Sequence, residues 1–121
     1  MRIFKTKLFN QWLGKIGLNN EALKIAVKEI VSGLYEASLG GHLFKKRIHI
    51  KGKGKSSGVR TIIAFKKDDT AFFVYGYAKS KKANINETEK RIYKELAILL
   101  FSYNGEDINC AIKNKELIEV L

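Results

Sequence analysis

Residues 51–60, KGKGKSSGVR, hold three lysines, one arginine, three glycines and two serines, and how this stretch is read decides the fold. A phosphate-binding loop needs Gly-x-x-x-x-Gly-Lys-[Ser/Thr] opening a helix. Gly54, Lys55 and Ser56 fit the end of that pattern, but His49 stands where the first glycine belongs. No helical period follows; Val59 to Phe65 is a β-prone run. The stretch therefore reads as a glycine-rich hairpin loop between two strands, and the chain as a sheet protein rather than a nucleotide-binding α/β unit.

The flanks agree. Phe44 to Ile50 alternates: Phe44, Lys46, Ile48 and Ile50 share one face, while Lys45, Arg47 and His49 share the other. After Phe65, Lys66 to Asp69 is a turn signal and Ala71 to Ala78 is a third β-prone run. These runs form a β-meander. On the N-terminal side, Met1 to Thr6 is a short strand. Phe9, Trp12, Leu13 and Ile16 then recur at helical spacing before Gly17. Asn20 is expected to cap a second helix carrying Leu23, Ala26, Val27, Ile30, Val31 and Leu34, closed by Gly40 and Gly41. Beyond the meander, Asn86-x-x-Glu89 has the form of a capping box. It opens a helix with Ile92, Leu96, Leu99, Leu100 and Tyr103 on its apolar face, ending at Asn104-Gly105. A helical turn and a short strand around Leu117 to Val120 complete the chain. The expected class is α+β: an antiparallel meander sheet packed by two N-terminal helices and one C-terminal helix.

The chain has 121 residues, enough for a single domain over 1–121, and 45% apolar residues give it a core. Its net charge of +11 points to a polyanionic partner: nucleic acid, an anionic membrane or an acidic protein. No apolar run approaches the roughly 20 residues of a membrane span, and the polar start MRIFKTKLF does not read as a signal peptide. A single cysteine, Cys110, is compatible with a reducing cytoplasm and reads as a small buried apolar residue. One cysteine and two histidines, His42 and His49, give no dedicated metal site, and no cofactor is expected. His42 reads as a loop residue.

The chemistry concentrates in the meander. Lys45 and Arg47 share one strand face, Arg60 opens the next strand, and Tyr75, Tyr77 and Lys79 share a face of the third. Lys81 and Lys82 continue into the loop, while Lys51, Lys53 and Lys55 line the hairpin. Antiparallel pairing would aim these groups at one sheet face and its rim. Cations for phosphate and rings for base stacking are what single-stranded nucleic acid requires. Tyr75 and Tyr77 read equally well as packing residues.

Three stretches together resemble a known family. LGGHLFKKRIHIKGKGKSSGVRTIIAF, AFFVYGYAKSKKANI and the N-terminal MRIFKTKLF look like the HigB-like branch of the RelE/ParE toxins of bacterial type II toxin–antitoxin systems. The resemblance implies a RelE-like, microbial-ribonuclease-like fold. It implies a metal-independent endoribonuclease that cuts messenger RNA on the ribosome, stops translation and is neutralised by a cognate helix-turn-helix antitoxin. Lys45 and Arg47 stand at the family's basic pair, Gly58-Val59-Arg60 at its arginine after glycine, and Lys79, Lys81 and Lys82 at its basic segment. Ser80 falls where arginine is often found. Asn86 occupies the point where the family places a tyrosine, leaving Tyr75 or Tyr77 as substitutes. On this basis Lys45, Arg47, Arg60, Lys79 and Tyr75 are expected to be catalytic, with Arg60 stabilising the transition state. Lys46, Lys51, Lys53, Lys55, Lys81, Lys82 and Tyr77 are expected to bind RNA. No carboxylate is expected in the patch, so the base is either a lysine of lowered pKa or His49; His49 also reads as an exposed strand residue without function. Two other functions fit the same basic face: a non-catalytic RNA- or ribosome-binding module, and a ParE-like gyrase inhibitor.

Overall fold

The computed structural model describes residues 1–50, 58–67 and 69–121. In chain order the elements are β1 (Arg2–Thr6), α1 (Lys7–Ile16), α2 (Asn20–Val31), β2 (Ala37–Gly40), β3 (Leu43–Ile48), β4 (Val59–Phe65), β5 (Thr70–Ala78), α3 (Glu87–Ser102), α4 (Gly105–Lys113) and β6 (Leu117–Glu119). The strands form one sheet in the order β2-β3-β4-β5-β1-β6. The meander β3-β4-β5 is antiparallel, as its alternation predicts, and β1 adds to β5 in parallel. The result is the expected α+β sheet with helices on both faces, enlarged by a strand and a helix that the sequence reading did not separate out.

Each face carries its own core. Phe9 and Leu13 of α1 and Leu23, Val27 and Ile30 of α2 pack on Ile48, Val59, Ile63 and Phe73. On the other side Leu100 of α3 and Ile108 and Ala111 of α4 cover Phe4, Leu43, Ile62, Phe72 and Val74. Every residue of β4 is buried, because this strand is covered on both faces. Of the predicted α3 stripe only Leu100 is fully buried, joined by Ala97, which was not in the stripe, while Ile92 and Leu99 stay half exposed.

Several boundaries differ from the sequence reading for local reasons. Asn19, not Asn20, caps α2, accepting from the Ala22 N–H at 3.0 Å. The helix stops at Val31, and Gly33 follows at φ 85° with Leu34 N–H donating to the Glu29 carbonyl at 2.8 Å. That six-to-one bond is a Schellman closure. Leu34 therefore lies beyond the helix and is exposed. Gly41 and His42, at φ 61° and 62°, form instead the two-residue loop joining β2 to β3; positive φ at both positions is the type I′ hairpin requirement. Asn104 ends nothing: its side chain accepts from Asp107 N–H and starts α4. Cys110, on α4, is exposed rather than buried.

One irregularity decides which way the tyrosines point. Ala64 pairs with Phe72 and Ile63 with Phe73, but Ile62 pairs with Tyr75, so Val74 is an extra residue in β5. A bulge of one residue reverses the side-chain alternation beyond it. Phe72 and Val74 thus face α3 and α4 before the bulge, and Tyr75 and Tyr77 face the same way after it. Gly76 is turned to the opposite side, against Trp12 of α1.

Candidate active site

The expected cations meet on the α3 side of the meander. Arg47 of β3 is the cross-strand neighbour of Arg60 of β4, which is the neighbour of Tyr77 of β5. The adjacent row is Lys45, Ile62 and Tyr75. Cross-strand neighbours stand about 5 Å apart at Cβ, so Lys45, Arg47, Arg60, Tyr75 and Tyr77 line a single surface. Arg47 lies over Gly58, where a Cβ would come within 3.0 Å of Arg47 Nε. The glycine that precedes the β4 arginine leaves room for a guanidinium from the strand beside it.

Arg60 is the innermost of the cations, only 6% exposed. Its Nε donates to Glu36 Oε2 at 2.7 Å, the carboxylate arriving from the segment between α2 and β2. The expectation of a patch without carboxylates is therefore corrected. Glu89 of α3 is a second acid at its rim, 2.5 Å from Lys82 Nζ. Neither carboxylate is adjacent to the cations in sequence, so alternation could not reveal them; Glu89 was legible only as a capping residue.

Asn84 ties the loop after β5 to the strands. Its Oδ1 accepts from Lys45 Nζ at 3.4 Å, from the Tyr77 hydroxyl at 3.5 Å and from Ile85 N–H at 2.9 Å. Tyr75 is flanked by Tyr77, with centroids 5.9 Å apart, and by Tyr93 of α3, stacked at 5.0 Å. Lys82 Nζ lies 5.6 Å over the Tyr75 ring, a cation–π distance. Asn84 and Tyr93 carried no sequence signal, because loop closure and helix docking place them.

The electrostatics follow from these contacts. Burial raises the pKa of the Tyr77 hydroxyl, and the Glu36 charge adds to it against Arg60 and Lys82. Burial pushes Tyr93 up to about 12. The Lys82–Glu89 hydrogen bond raises the lysine and lowers the carboxylate, so Lys82 stays protonated and is no lowered-pKa base.

The remaining candidates lie elsewhere. Lys46 is on the opposite sheet face, nearly buried and 3.2 Å from Glu29 of α2. His49 falls just past the end of β3, exposed beside Ala22 and Ile25 of α2. Lys79 and Lys81 occupy the exposed turn after β5, where Lys81 N–H donates to the Ala78 carbonyl. Lys51, Lys53 and Lys55 lie outside the described residues. Among the described residues no group of three or more His, Cys, Asp or Glu side chains is placed to hold a metal ion, and no helix is long and apolar enough to cross a membrane.

The model of the RelE toxin of the RelE/RelB toxin–antitoxin system matches residues 1–120. No curated protein matches the chain. A match over nearly every residue, on a six-stranded sheet with helices on both faces, carries one conclusion: the chain belongs to the RelE toxin family, toxins of toxin–antitoxin pairs that are generally endoribonucleases.

Proposed function

We propose that this protein is a HigB-like toxin that cuts messenger RNA on the ribosome without a metal ion, and that a cognate helix-turn-helix antitoxin holds it in check in the cytoplasm. The observation that carries the reading is the convergence of Lys45, Arg47, Arg60, Tyr75 and Tyr77 on one face of three adjacent strands. In such a cleavage the RNA 2′-hydroxyl attacks the neighbouring phosphorus and the 5′-oxygen departs. The reaction needs a base, cations for the charge growing on phosphate, and an acid for the leaving oxygen. Permanent guanidinium charge at Arg47 and Arg60, with Lys45 beside them, suits the second requirement. In the Tyr77–Tyr75–Tyr93 row the half-buried rings of Tyr75 and Tyr93 are the ones against which a base can stack, while Tyr77, 5% exposed, packs beside them. The antitoxin would present an acidic segment to a surface whose chain carries a net charge of +11.

Inducing the wild-type chain in a bacterium is expected to arrest growth and to yield messenger RNA ends within codons, read by end-mapping. Arg60→Ala and Lys45→Ala are each expected to abolish both, since removing a preorganised charge of this kind lowers turnover about 10²–10³-fold. Growth arrest with intact message and DNA-damage signalling would favour gyrase inhibition; a harmless protein at high level would favour a binding module.

A further inference from the structure

We infer that Glu36 is the general base of this site, taking the proton from the attacking 2′-hydroxyl; the inference rests on the ribonuclease reading above. Glu36 is held in place twice. Its backbone N–H donates to the Lys45 carbonyl at 2.8 Å, and its Oε2 accepts from Arg60 Nε at 2.7 Å. The pair has an inner and an outer member: the Arg60 side chain is 7% exposed and that of Glu36 is 35% exposed. The group that meets an incoming RNA first is therefore the carboxylate, and the buried arginine sets its direction.

The alternatives are poorer bases. A guanidinium does not give up its proton, Lys82 is bound to Glu89, and His49 lies past the end of β3 beside α2. An ionised carboxylate is acceptor-only, which is what a hydroxyl proton needs. The charged and titratable groups around Glu36 are Arg60 from β4, Tyr77 from β5, Lys46 and Arg47 from β3, Glu29 from α2 and Tyr35 beside it in its own segment.

The step closes as follows. The 2′-O–H proton passes to Glu36 and the 2′-oxygen forms its bond to phosphorus. The P–O5′ bond breaks, leaving a 2′,3′-cyclic phosphate, and the departing oxygen takes a proton from the Lys45 ammonium. Solvent then restores both side chains. A guanidinium has five N–H donors in a rigid fork, so Arg60 can hold the base through Nε and face a phosphoryl oxygen with another.

The test uses the purified full chain and an mRNA, both free and in the A site of programmed bacterial ribosomes, in single-turnover cleavage. Glu36→Gln is expected to slow cleavage about 10²–10⁴-fold with RNA affinity unchanged, and to remove the acid limb of the pH–rate profile. Glu36→Asp, which keeps the carboxylate, is expected to retain that limb. Added formate is expected to restore part of the rate of Glu36→Ala. Cleavage by Glu36→Gln at the wild-type rate, or an acid limb unchanged in that variant, overturns the inference. So does loss of RNA binding in step with rate, without formate rescue, which would make Glu36 only a holder of Arg60. Circular dichroism verifies folding, and Glu36→Asp serves if the glutamine variant does not fold. A wild-type chain that cuts neither RNA overturns the ribonuclease reading, and this inference with it.

Discussion

Gly76 separates the two tyrosines of the site and faces away from them. A Cβ there would sit 2.2–2.6 Å from three ring atoms of Trp12, and that ring is packed against Phe9 at 5.4 Å. Relief requires the Trp12 ring to swing out of its packing or α1 and β5 to move apart. Gly76→Ala is therefore expected to destabilise the protein by about 1–3 kcal/mol, the range for overpacking a core, as a lower urea midpoint. Trp12→Leu in the same background should recover part of the loss, since a smaller side chain clears the space. Side chains differ in how openly the sequence declared them. Lys45, Arg47 and Arg60 were legible because a period of two assigns strand faces. Tyr75 and Tyr77 share a face by the same period, but they reach the Arg60 face through a bulge that nothing in FFVYGY announces, and a regular β5 would have turned both away from Arg60. Glu36 was illegible, since its approach depends on how the chain leaves α2.

α3 shows one carboxylate serving two neighbours. Glu89 accepts from the Asn86 backbone N–H at 3.0 Å, completing a capping box, and binds Lys82. Both contacts favour the ionised form, with Lys82 the larger, and hold its pKa below the usual range. A carboxylate lowered in the folded state contributes stability that is fully present above its unfolded value, about 4.3. That contribution is lost as pH falls through the lowered folded value. Glu89→Gln is thus expected to lose part of the stability at neutral pH and to show a shallower fall on acidification than wild type, in thermal melts followed by circular dichroism. The box itself was visible as Asn-x-x-Glu. The start of α4 was not, because Asn-Gly is equally a stop signal and only the downstream Asp107 converts Asn104 into a cap. β2 was hidden for a similar reason: Gly40 and Gly41 resemble a helix terminus until Gly33 is found to have supplied it.

The molecule carries 23 Lys and Arg against 12 Asp and Glu, and the site includes two of those acids. Its grip on RNA should therefore be salt-dependent, with the log of the affinity falling linearly against log salt by about 0.7 for each phosphate neutralised on a single strand. Arg47→Ala is expected to reduce that slope by about 0.7. Fluorescence anisotropy with an RNA blocked by 2′-deoxy substitution at the cut would measure it, and an unchanged slope would remove Arg47 from the phosphate track. The strand order has a consequence for how such a chain is made. β1 lies between β5 and β6, with Ile3 beside Ala71 and accepting from Val120 N–H at 2.8 Å. The hairpins bearing the arginines close on nearby contacts, whereas the first strand waits for partners synthesised long after it. With this topology β1 can be paired on both of its edges only after residues 117–119 have been made, so the closing of the sheet is among the last events of the chain's synthesis.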